Sequence, residues 1–103
     1  MREDSLAAPE LIDTEFLSAL RRMEREGKIP THRCQQAIDD YRQLLLVRYP
    51  SAGLIDDIWA LRHNFTTYDA AYVALAKVLK ARLITCDAKL ARAATGMIET
   101  ILV

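Results

Sequence analysis

Three carboxylates, Glu15, Asp69 and Asp87, stand where they can act together although they lie far apart in the chain. Projected down a helix axis, Glu15 falls between Leu11 and Ile12. It therefore borders an apolar face rather than pointing directly away from it. Asp69 falls in the first turn of a helix that opens after Thr66 and Thr67. Asp87 follows the run Arg82-Leu83-Ile84-Thr85-Cys86, where a strand ends and a helix begins. Each acid has an ordinary structural explanation. Glu15 can lie along the edge of a core. Thr66-x-x-Asp69 has the form of a capping box, and an acid in a first turn suits the helix dipole. Asp87 suits an N-cap. Their joint placement in one α/β layer points further. Three converging carboxylates repel one another unless a cation sits between them, and an all-oxygen donor set suits Mg²⁺ or Mn²⁺ rather than zinc.

The remaining polar residues rank lower. Asp39-Asp40 and Asp56-Asp57 are adjacent pairs on helices, so their members splay around the axis and read as solvated faces. His32 and His63 have no partner at metal-ligand spacing. Arg21-Arg22-Met23-Glu24-Arg25 forms a local basic stretch that reads either as a solvated helix face or as a phosphate contact, because the guanidinium fork matches phosphate oxygens. Arg82, Lys89 and Arg92 surround the Asp87 region and add to it. Trp59 and Tyr41 sit at helical spacing with other apolar residues and read as core or interface. No glycine-rich phosphate loop, HExxH or GxSxG pattern occurs.

The elements that would position these groups follow from periodicity and punctuation. Leu6-Ala7-Ala8 reads as a very short strand. A helix is predicted over 9–26, with Pro9 in its first turn, Ile12, Phe16, Ala19, Leu20 and Met23 on one face, and Gly27 as its stop. Thr31 caps a second helix over 32–45, and Leu46-Val47-Arg48-Tyr49 reads as a strand ending at Pro50. Ser51 caps a third helix running to about residue 63. Thr66 or Thr67 caps a fourth over 68–80, rich in alanine and buried on most sides. A strand over 82–86, a short helix over 88–94 and a last strand over 97–103 complete the order β-α-α-β-α-α-β-α-β. That alternation argues for an α/β fold with a mostly parallel sheet flanked by helices, and ligands in such folds bind beyond the carboxyl ends of the strands.

Composition sets the outer limits. A chain of 103 residues with 51% hydrophobic and 27% charged residues fits a single domain over 1–103 with one core. No apolar run is long enough to span a bilayer, so no membrane partner is expected. Cys34 and Cys86 form no disulfide framework and read as reduced thiols of a cytoplasmic protein. Fourteen basic residues balance fourteen acidic ones. Bulk positive charge is therefore not the means of holding nucleic acid, and any such contact must be a local patch.

The segments APELIDTEFLSALRR (8–22) and NFTTYDAAYVALAKVLKARLITCDAKLARA (64–93), with the element order between them, resemble the PIN-domain ribonucleases, specifically the VapC-type toxins of toxin–antitoxin pairs. The resemblance runs from about Leu6 to Val103 and implies a PIN-like three-layer fold. It places Glu15 at the family's helix glutamate, Asp69 at the Asp of the Tyr-Asp-Ala segment and Asp87 at the Asp after the fourth strand. All three are catalytic, metal-holding positions in the family. Thr85 matches a supporting hydroxyl position, and Arg22 and Arg92 are the candidate RNA contacts. The implied activity is Mg²⁺- or Mn²⁺-dependent hydrolysis of RNA phosphodiester bonds, neutralised by a VapB-type antitoxin.

One departure from the pattern carries its own expectation. The family opens with a central apolar strand bearing its first catalytic Asp, and MREDS is neither apolar nor strand-like. Three explanations stand: a fragment or misassigned start, a strand supplied by another chain, or direct pairing of the strands that flank the gap. The expected consequence is a homo-oligomer or strand-exchanged dimer. An alternative function follows as well, a catalytically inactive PIN-like module that dimerises or binds antitoxin.

Overall fold

A computed structural model of the chain describes residues 6–80, 83–85 and 100–102, with side-chain surroundings described over 6–80. The order is β1 (Leu6–Pro9), α1 (Ile12–Arg25), α2 (Thr31–Arg42), β2 (Leu46–Tyr49), a 3₁₀ turn (Ser51–Leu54), α3 (Ile55–Ala60), α4 (Thr67–Leu79), β3 (Leu83–Thr85) and β4 (Thr100–Leu102). This is the expected mixed α/β alternation. The short helix predicted over 88–94 lies outside the described residues. β1 pairs with β2, and β3 pairs with β4. The second pair is parallel, in the register Leu83 to Thr100, Ile84 to Ile101 and Thr85 to Leu102. Parallel neighbours require about a dozen residues or more between them, and fourteen separate Thr85 from Thr100 in the sequence.

The chain divides into two compact units, residues 1–48 and 49–103. In the first, Pro9 belongs to the end of β1 rather than to the helix. The Leu6 N–H donates to the Leu45 carbonyl (2.7 Å), and Ala8 and Pro9 are buried, so pairing and burial claim the proline at a strand end, where its missing N–H is tolerated. Helix α1 therefore starts only at Ile12. Its exit is as expected: Gly27 adopts φ +74°, the Lys28 N–H reaches the Met23 carbonyl (2.8 Å) and the Gly27 N–H reaches Glu24 (3.1 Å). These two bonds form a Schellman motif, which needs a left-handed residue where the glycine stands. Helix α2 ends at Arg42, three residues earlier than predicted, where the Gln43 and Leu44 N–H groups turn to the i−3 carbonyls of Asp40 and Tyr41 (3.1 and 3.2 Å).

The second unit holds the hydrophobic cluster Leu61, Phe65, Ala70, Val73 and Ala74, with Ile58 and Tyr72 against it. Helix α4 buries Ala70, Ala71, Val73, Ala74, Leu75 and Ala76, as its alanine content implies. The predicted helix over 51–63 is instead a 3₁₀ turn followed by the short α3. Tight i→i+3 bonds from Leu61 to Ile58, Arg62 to Trp59 and Asn64 to Leu61 end α3 early. Leu54, Ile58 and Leu61 form the inward stripe at i, i+4 and i+7. Ile55 and Trp59 lie one residue further round and are 64% and 65% exposed. Trp59 is thus a surface residue, with the Arg62 guanidinium 4.5 Å from its ring centre. Among the described residues no helix is long and apolar enough to cross a membrane.

Candidate active site

Glu15 lies in the first turn of α1 and is exposed. Its helix is amphipathic as expected, with Leu20 buried and Ile12, Phe16 and Ala19 half-buried, whereas Met23 is exposed. Seven residues on, Arg22 returns to within about 20° of the Glu15 stripe and stands about 10 Å further along the axis. Arg22 is exposed too, so an acidic group and a basic one share one face of α1.

Asp69 lies in the first turn of α4 and is half-buried, directly before the fully buried Ala70. The Asp69 backbone N–H donates to Thr66 Oγ1 (3.2 Å), which makes Thr66 the N-cap and settles the choice between the two threonines. Among the described residues the return bond of a capping box, from the Thr66 N–H to the Asp69 carboxylate, is absent. The cap uses the Asp69 backbone and leaves its carboxylate to other chemistry. Asp87 and Arg92 lie outside the described residues, as do Arg82, Cys86 and Lys89. In the chain Asp87 comes two residues after Thr85, the last residue of β3. Among the described residues no three His, Cys, Asp or Glu side chains gather closely enough to hold a metal ion.

The structure adds a cluster that spacing along the chain does not reveal. Arg48 of β2 grips Asp13 of α1: Nε donates to Oδ2 (2.8 Å) and Oδ1 (3.0 Å), and Nη2 donates to Oδ1 (2.8 Å). The Tyr41 hydroxyl of α2 donates to the same Oδ1 (2.6 Å). Arg48 Nη1 donates to the Leu46 carbonyl (3.3 Å). The Tyr41 ring stacks on Phe16 at 4.1 Å with 12° between planes. The hydrogen bonds from Arg48 and then Tyr41 hold the Asp13 carboxyl below its usual range. Burial, followed by the Asp13 hydrogen bond, pushes the Tyr41 phenol up. Charge-assisted bonds of this kind are the stronger class. The one sequence signal for the cluster was an acid in a helix first turn, a position that the dipole already explains.

The other polar groups behave as surface. Gln35 donates to Asp39 (3.1 Å) and Gln36 to Asp40 (2.9 Å), each one helical turn away. Cys34 is a free thiol whose S–H faces Glu24 Oε2 (3.7 Å) and the Pro30 carbonyl (3.6 Å). Burial and then the Glu24 charge push that thiol up, away from the reactive thiolate. A hollow of about 70 Å³ lined by Asp57, Ala60, Leu61, Ala74 and Lys77 borders none of the candidate residues and is too small for a nucleotide.

The sequence model of the PIN domain matches residues 1–96. This chain belongs to the PIN-domain family. Its similarity extends to proteins named as VapC ribonucleases. It is 44% identical over 94 residues to ribonuclease VapC1 of Mycobacterium tuberculosis, covering 90% of this chain and 71% of that one. It is 39% identical over 87 residues to ribonuclease VapC9 of the same organism, covering 84% of this chain and 68% of that protein. With ribonuclease VapC3 it shares 36% identity over 89 residues, 86% of this chain and 65% of the other. The PIN match spans the segments that carry Glu15, Asp69 and Asp87.

Proposed function

We propose that this PIN-domain protein is a VapC-type endoribonuclease that hydrolyses RNA phosphodiester bonds with a divalent cation, Mg²⁺ or Mn²⁺, held by Glu15, Asp69 and Asp87. The observation that carries this reading is the similarity to VapC ribonucleases over most of the chain, supported by the setting of two of the acids. Glu15 is exposed, and the Asp69 carboxylate is not spent on its helix cap. A set of carboxylates fits a hard divalent cation. When bound, such an ion supplies water activation and stabilises charge on the attacking and leaving oxygens.

The chain's own residues supply the rest. Glu15, Asp69 and Asp87 are the residues that would hold the ion, and their carboxylates would serve to orient the attacking water. Arg22, on the Glu15 face of α1, holds a phosphate of the RNA backbone through its fork, and Arg92 adds a second contact. Such contacts set register on the substrate without reading its sequence. A VapB-type antitoxin neutralises the activity, and the protein works as a cytoplasmic homo-oligomer.

The test is cleavage of total bacterial RNA by the purified protein in Mn²⁺, read on denaturing gels. Glu15→Gln and Asp69→Asn each lower the rate about 100-fold or more, while Arg22→Gln raises the RNA concentration needed for half-maximal rate. Undiminished cleavage in both carboxylate variants overturns the reading. No metal-dependent cleavage by the unaltered protein favours the inactive interaction module instead.

A further inference from the structure

We infer that Asp13, Tyr41 and Arg48 are positioning residues: a three-part lock that sets the rotation of α1 about its own axis and so aims Glu15. The inference rests on the reading of Glu15 as a metal-holding carboxylate.

Helical geometry gives the argument. Residues two apart on an α-helix point about 200° from each other, and residues three apart lie within about 60°. Asp13 and Phe16 therefore share one side of α1. Both engage Tyr41, one by the 2.6 Å hydrogen bond and the other by the 4.1 Å ring stack. Arg48 closes on the same carboxylate from β2 through three N–H···O contacts of 2.8–3.0 Å. With that side of α1 held by a strand and a second helix, Glu15 is carried to the opposite side, the one it shares with Arg22. One hydrogen bond would fix a distance, but a fork, a hydroxyl and a stacked ring together fix an azimuth. No cap competes for this role, since the N-cap of α1, Leu11, makes no side-chain bond. The same geometry commits the Arg48 guanidinium to partners within the protein. Its Nε and Nη2 are on Asp13, and its Nη1 is on the Leu46 carbonyl.

Aiming matters because a displacement of about 1 Å in a catalytic group, caused from a distance, can cost about 100-fold in rate. A lock of this kind acts on metal affinity and turnover and leaves RNA binding alone. The test compares Asp13→Asn, Arg48→Gln, the two combined, and Tyr41→Phe, which keeps the ring stack and loses only the hydroxyl. Val47→Ala in β2 serves as a control for general loosening of the same sheet.

Three readouts are taken: kcat and KM on total RNA, the Mn²⁺ dissociation constant by calorimetry without RNA, and the melting temperature without metal. For Asp13→Asn and Arg48→Gln, kcat falls about tenfold, KM stays within about twofold, and the Mn²⁺ constant rises about tenfold. The double variant is no worse than either single one, because both open the same lock. Tyr41→Phe shows a smaller change in the same direction. Val47→Ala lowers the melting temperature and leaves kcat and the Mn²⁺ constant in place.

Lock variants that lose melting temperature but keep kcat and Mn²⁺ affinity overturn the inference and make the cluster a strut. A rise in KM with kcat unchanged in Arg48→Gln overturns it as well, and makes Arg48 an RNA contact instead. Should the unaltered protein give neither Mn²⁺ heat nor Glu15-dependent cleavage, the ribonuclease reading itself fails and the lock has nothing to aim. That outcome is separate from the two in which only the lock fails.

Discussion

At Asp13, an arginine fork and a phenol meet one carboxylate, and the group's acidity follows from that. Its folded pKa lies below the ordinary value of 3.8, with the Arg48 hydrogen bond as the leading cause. A carboxyl depressed by folding contributes stability above its unfolded pKa and loses it as pH falls through the folded one. Asp13→Asn is therefore expected to unfold at lower urea than the parent at pH 5–7, and the gap is expected to close as pH drops below about 4. Urea titrations of both proteins at pH 7 and pH 3 check this. A gap of equal size at the two pH values would show that the lost stability comes from shape rather than charge. The pair is more than a third exposed on the Asp13 side, so the effect is screened and modest. Its value lies in direction, since it holds one helix at one angle.

At the scale of elements, helix ends show where local chemistry agrees with the fold and where it is strained. Helix α1 ends on Gly27, which takes its positive φ without steric cost. Helix α4 ends on Lys80 at φ 53° and ψ 38°, the left-handed region, with a side chain that this region disfavours. That conformation costs about 1–2 kcal/mol for an L-residue, and glycine gives back about half through its greater freedom when unfolded. Lys80→Gly is expected to stabilise the protein by about 0.5–1 kcal/mol, measured by chemical denaturation. At the other end of α4, Thr66 caps through its hydroxyl, one of the two threonines that the sequence offered for that place. The region 51–65 follows neither end rule. Its 3₁₀ turn, short α3 and run of tight turns trade regular helix for the inward placement of Leu54, Leu61 and Phe65.

At the scale of the molecule, the chain gathers into two units, and the apolar cluster around Phe65 belongs to the one that starts at Tyr49. Phe65 is 8% exposed and stands among Leu61, Ala70, Val73 and Ala74. Small alanines let α4 approach closely, so the aromatic ring fills most of the space they leave. Phe65→Ala is expected to cost about 3–4 kcal/mol, with the loss visible as a lower urea midpoint. A protein of this size has total stability of about 5–15 kcal/mol. The variant is therefore expected to be partly unfolded at 37 °C, whereas Trp59→Ala, at a 65% exposed position, is not.

Much of this architecture was legible one segment at a time. The strand Leu46–Tyr49, the Gly27 stop, the Thr66 cap and the buried alanine helix all follow from interactions within a few residues, and those are the interactions that periodicity and punctuation encode. The local settings of Glu15 and Asp69 were legible for the same reason. Tertiary structure alone decided the rest. It drew Pro9 out of the helix into β1, paired Leu45 with Leu6 where the helical pattern runs on, and turned Trp59 to the surface. It also joined Asp13 to Arg48 across 35 positions. Each of these is a competition between a local preference and a distant partner, and the partner is supplied only by the folded chain.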